Sequence, residues 1–376
     1  MKQSKSVDMA SMIDNYLEVA PGISLWFTTW GNAESGIPVL FVHGGPGACC
    51  ADYQHINQRF FDTNKYHVIE VDQRGTGNSV PSVRKDYKNM QHYLDISIDQ
   101  MCSDFECVRN HLNITQWLVF GGSWGSTLGL DYTSKYPQAC LGLILRGIFL
   151  NTVEEHDAIY ARKTFLANER RLSEFDTFYE LAADDAKNRK EELLDVNDSK
   201  RLIDIYERMI VSGNREAIWR FYVWENNLME EDLDKMLDPY TVPDATDDQY
   251  REACSISFFE ARLFLHGTFE QPIDLLGNCH RMKHVPTWVC QGTGDEVCPE
   301  KFAQQLCLKL DEVGVQHTDH FVDSGHKASS DGMTEALILS VQEYYEQYGQ
   351  HYDNTKDIQD WCVNEDGEEE EEKEKD

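Results

Sequence analysis

The sequence predicts an α/β domain on a mostly parallel sheet, split by a long helical insertion. Three observations carry this reading. Short β-rich runs alternate with helical patterns through the first 150 residues, as βαβ units do. Strand signals nearly vanish from about 151 to 280, where charged, aromatic-rich helical patterns dominate. Alternation then returns at Val285. The expected organisation is a first core segment at 1–150, a helical cap at 151–280, a second core segment at 281–355 and an acidic tail at 356–376.

In the first segment the expected strands are Ile23–Thr29, Pro38–Val42, His67–Val71, Trp117–Phe120 and Leu141–Leu145. Val39–Val42 and Leu118–Phe120 are apolar without alternation, which fits central parallel strands covered on both faces. Ile98–Leu112 and Ser126–Tyr136 have helical spacing, and the second stops at Pro137. The insertion reads as helices over 162–181, 199–213 and 215–228. Beyond it come a strand at Val285–Gln291, a helix at Pro299–Leu310, a strand at His317–Val322 and an amphipathic helix at Met333–Tyr348.

Composition narrows the function classes. The 376 residues carry a formal charge of −32, of which EDGEEEEEKEKD (365–376) holds −7. Nucleic-acid and anionic-membrane binding need clustered Lys and Arg, so both are excluded as partners. With 41% hydrophobic residues the chain can bury a substantial core, whereas the acidic run lacks the apolar residues to fold alone. The first twenty residues lack the apolar core of a secretory signal, and LGLILRGIFL (141–150) is too short to span a bilayer. The 11 Cys are odd in number, with no CxxC pair, so neither a disulfide framework nor a zinc site is expected. These features fit a cytoplasmic enzyme with no metal or cofactor; the oligomeric state is left open.

The chemistry centres on Gly121-Gly-Ser123-Trp-Gly125, a G-x-S-x-G motif directly after a strand and before a helix. Glycines let backbones meet in a sharp turn. A serine projecting there has helix N–H groups nearby to stabilise developing negative charge. Strand Pro38–Val42 runs into His43-Gly-Gly-Pro-Gly47, where the N–H of Gly45 or Gly44 would join that of Trp124 as an oxyanion hole. His43 reads as an internal hydrogen-bonding residue of that loop. The acid and base should follow in chain order. Asp295 lies in a turn after strand Val285–Gln291, with Glu296 as its rival, and His326 lies in a turn after the last strand.

HGGPG (43–47), DQRGTGNS (72–79), GGSWGSTL (121–128), LRGIF (145–149), GDEVCP (294–299) and SGH (324–326) together resemble the proline iminopeptidase (prolyl aminopeptidase) family, in its smaller serine-nucleophile form. The resemblance runs from about residue 20 to 345. It implies an α/β-hydrolase fold with an inserted helical cap, and release of N-terminal proline from peptides. It also implies that Glu225, after Trp224, and Glu260, four residues before Phe264, bind the substrate amine. Phe149 would line the proline-ring pocket with Arg146 beside it. Within the fold, a broader amino-acid arylamidase or an esterase is the nearest alternative. A carboxylate-nucleophile hydrolase is disfavoured, because Ser123 occupies the nucleophile position. A silent interaction protein using the acidic tail is disfavoured by the complete Ser–Asp–His set.

Overall fold

The structure is a computed structural model that describes residues 14–352 apart from Leu193 and Glu231. The expected acidic tail at 356–376 lies outside the described residues. Among those described, one sheet of eight strands runs in the order β1 (Asn15–Ala20), β2 (Ile23–Gly31), β4 (Tyr66–Val71), β3 (Ile37–Val42), β5 (Trp117–Ser123), β6 (Cys140–Ile148), β7 (Thr287–Gly292) and β8 (His317–Val322). The pairs β1–β2 and β2–β4 are antiparallel, and every pair from β4 to β8 is parallel.

The uninterrupted apolar runs have a direct cause. Helices cover both faces, so neither set of alternating side chains meets water. Val39 and Phe41 enter one buried cluster, with α1 (Cys50–Phe60) and α11 (Asp331–Gln347). Leu40 and Val42 enter the other, with α2 (Ile98–His111), α3 (Trp124–Lys135) and α10 (Glu300–Val313). β3, β6 and β7 are buried at every position.

Between β6 and β7 come α4 (Val153–Tyr160), α5 (Glu169–Asn188), α6 (Ser199–Val211), α7 (Arg215–Met229), α8 (Asp248–Phe264) and α9 (Leu275–Asn278). Their aromatic side chains belong to the same cluster as one face of the sheet. Phe178 stacks on Tyr206 at 4.3 Å and on Trp224 at 5.6 Å between ring centres. No helix among the described residues is long and apolar enough to cross a membrane.

The elements β1, α1, α4, α8 and α9 lie outside those expected from the sequence. β1 is a half-buried edge strand whose alternation is weak, and α1 carries a polar outer face over a few buried residues. α3 begins at Trp124 rather than Ser126, because the helix starts directly at the serine turn.

The sharpest electrostatic constraint in the core is Arg74 against Asp104 of α2. The pair is bidentate at 2.7 and 2.6 Å, with both side chains buried. Removing one partner leaves a buried charge uncompensated. Arg74→Met is expected to cost about 3–5 kcal/mol in urea unfolding at pH 7, and Arg74→Met with Asp104→Leu should recover most of that loss. A single variant as stable as the wild type would contradict this account.

Candidate active site

The C-terminal ends of β3, β5, β6, β7 and β8 point one way, and the strand ends, loops and start of α3 at that edge carry the candidate residues of the core, as open α/β sheets arrange their sites. Ser123 ends β5 with φ 58° and ψ −127°, a conformation side chains rarely adopt. The flanking glycines make the turn possible. A Cβ on Gly121 would lie 2.2 Å from the Gly125 carbonyl oxygen, and one on Gly125 would lie 2.3 Å from that of Val42. Strand, turn and helix therefore meet with only hydrogens between them.

The structure brings three predicted residues together. His326 Nε2 lies 3.1 Å from Ser123 Oγ, and its Nδ1 lies 2.8 Å from Asp295 Oδ2. Asp295 Oδ1 accepts the backbone N–H groups of Val297 and Cys298 at 2.9 and 2.8 Å. Burial works against the ionised Asp295, but His326 and the Cys298 N–H outweigh it and hold the carboxyl below its usual range. Geometry also separates Asp295 from its rival: Glu296 is half-exposed and turns to Arg171 at 2.8 Å. Arg146 donates to the His326 carbonyl at 2.8 Å, so its contacts hold the histidine loop in place.

The loop after β3 is backed by the DQRGTGNS segment. His43 is fully buried, with Nδ1 2.9 Å from the Gly44 carbonyl and Nε2 accepting the Gln73 N–H at 3.1 Å. Asp72 accepts from the N–H groups of Cys50 and Asn78. Gly45 borders the cavity onto which Ser123 opens, with φ +105°. Gly44 packs behind it, between Tyr53 and Gly122. The Trp124 indole turns into the core and donates to Gln73 at 3.2 Å, leaving its backbone at the start of α3 as the relevant group.

The cavity has a volume of about 230 Å³ and is bordered by Ser123, His326, Arg146, Phe149, Glu225 and Glu260. That is below the ~300–1,000 Å³ of pockets for drug-sized ligands. Glu225 on α7 and Glu260 on α8 are both buried. Tyr160 of α4 donates its hydroxyl to Glu225 Oε1, and Glu260 Oε2 has no hydrogen-bond partner among the described residues. Burial lifts Glu225 to about 7 in spite of Tyr160. Burial, then the charge of Glu225, lifts Glu260 well above the carboxylate range. No ion pair holds either acid among the described residues. Phe149 and Phe264 meet edge to face at 5.6 Å and form an apolar wall.

Sequence reasoning missed Tyr160 and Glu252. Glu252 also borders the cavity, accepts from the Tyr222 hydroxyl at 3.2 Å and faces Arg84 at 3.5 Å. It precedes Glu260 by eight residues on α8, and that helical spacing places both on one face. Asp295, Cys298 and His326 offer donor atoms within 4.8 Å of one another, but the Asp295 and His326 atoms are already bonded together.

A family model described as alpha/beta hydrolase fold matches residues 37–332, and the chain belongs to that family. Within it, the chain is 33% identical over 333 residues to a probable proline iminopeptidase of Leptolyngbya boryana, covering 86% of this chain and 91% of that one. It is 31% identical to a proline iminopeptidase of Arabidopsis thaliana, covering 86% and 77% respectively. A solved proline iminopeptidase-related protein from Thermus thermophilus shares the fold, with TM-score 0.52 and 16% identity over 90% of this chain and 99% of that one. The chain is thus a member of the proline iminopeptidases, enzymes of the hydrolase class.

The packing at the serine turn gives a direct test. Gly125→Ala forces a Cβ against the Val42 carbonyl. It is expected to lower Tm by several degrees and arylamide turnover by at least about 10²-fold, as displacement of reacting groups does. Thermal melts and steady-state kinetics read both, and wild-type values for this variant would refute the close-packing account.

Proposed function

We propose that this protein is a serine exopeptidase that releases proline from the N-terminus of peptides through an acyl-enzyme. Ser123 Oγ attacks the prolyl carbonyl while His326 Nε2 takes its proton, and Asp295 steadies the imidazolium. The N–H groups of Trp124 and Gly45 receive the developing oxyanion. The leaving amine takes the proton from His326, and water, activated by the same histidine, then frees proline and restores Ser123.

The single observation carrying this reading is the pair Glu225–Glu260, two buried acids on the cavity of Ser123. Leaving them ionised and unpaired is costly. A substrate that brings its own cation removes that cost, and a prolyl N-terminus is such a cation at neutral pH. The apolar wall of Phe149 and Phe264 suits the pyrrolidine ring, and the acids fix the count at one residue from Ser123. The names of the relatives support the same substrate.

Two outcomes test it. Prolyl-arylamide should be cleaved at least about 10²-fold better than its N-acetyl form, since the blocked nitrogen leaves buried carboxylates unpaired. Equal cleavage would favour the esterase or arylamidase reading instead. The second test is pH. The Glu225 value of about 7 lies above that of an unfolded chain, so the proton favours the folded free enzyme at low pH. This advantage fades as pH rises through 7, while the ionised form that binds the amine appears. Accordingly, kcat/KM for prolyl-arylamide should rise from pH 5.5 to 8, and the increase in Tm caused by added proline should grow over the same range. Glu225→Gln should raise the Tm of the free enzyme at pH 8 and raise KM. A proline-induced Tm shift independent of pH would contradict the anchoring role.

A further inference from the structure

Arg171 on α5 is remote from the reacting atoms, yet it is among the most densely bonded side chains of the insertion. Its side chain is only 4% exposed. It donates to Glu296 on the loop after β7, at 3.0 Å from Nε and 2.8 Å from Nη2. It donates also to the carbonyls of Asn227 and Leu228 at the end of α7, at 2.6 and 3.3 Å, and to Glu174 at 3.0 Å. Glu296 follows Asp295, which holds His326. Asn227 lies two residues beyond Glu225. One buried guanidinium therefore ties the loop that orients the histidine to the helix that carries an amine-binding acid.

We propose that Arg171 is a positioning residue that sets the distance between the amine-binding acids and Ser123, and so fixes the scissile bond at one residue from the N-terminus. This rests on the exopeptidase reading above. The argument is geometric. Asp295 is held independently by the Val297 and Cys298 N–H groups, so the Ser123–His326–Asp295 chain keeps its shape without Arg171. Arg171 bonds to both α7 and the loop after β7, while a separate tie, Lys327 to Glu230 at 2.6 Å, joins the histidine loop to the residue that ends α7. Its planar fork spans two carbonyls and two carboxylates at once, which a lysine cannot do. Removing it lets α7 shift against the loop while Glu225 still binds the amine. A substrate held about 1 Å out of register loses up to about 10²-fold in rate with little change in binding.

The test compares two substrates and two parameters in the full-length protein. Arg171→Met should lower kcat on prolyl-arylamide by about 10–100-fold, with KM within about threefold and aryl-acetate hydrolysis within about threefold of wild type. Arg171→Lys should regain part of kcat through its single contact with Glu296. Glu296→Gln, at a half-exposed position that tolerates change, should fall between wild type and Arg171→Met. Equal loss on ester and amide, or a loss confined to KM, would overturn the proposal. Should Arg171→Met fail to fold, a Glu296→Gln enzyme with unchanged kcat would overturn it as well. Failure of the underlying reading looks different: there the wild type itself would cleave N-acetyl-prolyl-arylamide as well as the free form.

Discussion

Everything at the site depends on three backbones meeting without side chains between them. Gly121 touches the Gly125 carbonyl and Gly125 touches that of Val42, so β5, the serine turn and α3 are locked against the end of β3. This contact holds Ser123 at positive φ and places the start of α3 beside the loop that carries Gly45. The rest of the edge is built outward from it. Arg146 lies against Gly122, where a Cβ would come within 2.8 Å of its guanidinium, and it reaches over to hold the His326 carbonyl. The strain at one residue is borne by a sheet whose neighbouring strands are buried on both faces.

The insertion supplies the second half of the site by a different physical means. The core edge is ordered mainly by backbone contacts, whereas the insertion is ordered by aromatic packing with acids set inside it. Phe178, Tyr206, Trp224 and Phe264 form a continuous apolar mass with the sheet face. Glu225 and Glu260 project from that mass into the cavity. Their burial makes them costly to ionise in the empty enzyme, and the proposed cationic N-terminus would remove that cost. On that proposal, stability is surrendered where recognition is gained, a trade common at functional sites.

Much of this was legible in the sequence, for identifiable reasons. Buried parallel strands announce themselves as unbroken apolar runs, and Val39–Val42 and Leu118–Phe120 did so. Ser123 and His326 were readable because each follows a strand in a glycine-bearing turn. The order of Asp295 and Glu296 rested on offset alone, and the hydrogen bond to His326 gives that choice its physical content. Glu225 and Glu260 were legible only by resemblance, because an acid on an amphipathic helix has no local mark of burial. Tyr160 was hidden for the same reason: its contact with Glu225 spans 65 residues of sequence. Edge strand β1 and helix α1 were missed because partial burial leaves little periodic signal.

The position of the insertion in chain order has a consequence for synthesis. β6 is buried at every residue and pairs with β7 on one side, yet β7 follows only after the whole helical stretch. A ribosome adding 5–20 residues per second takes roughly 7–28 s to cover that interval. Throughout it the nascent chain carries an apolar strand with one open edge, the kind of surface that recruits other strands. The aromatic mass of the insertion is then the first partner to emerge that can cover the adjoining sheet face. The helices that border the cavity are thus also the first part of the chain available to shield that face before β7 is made.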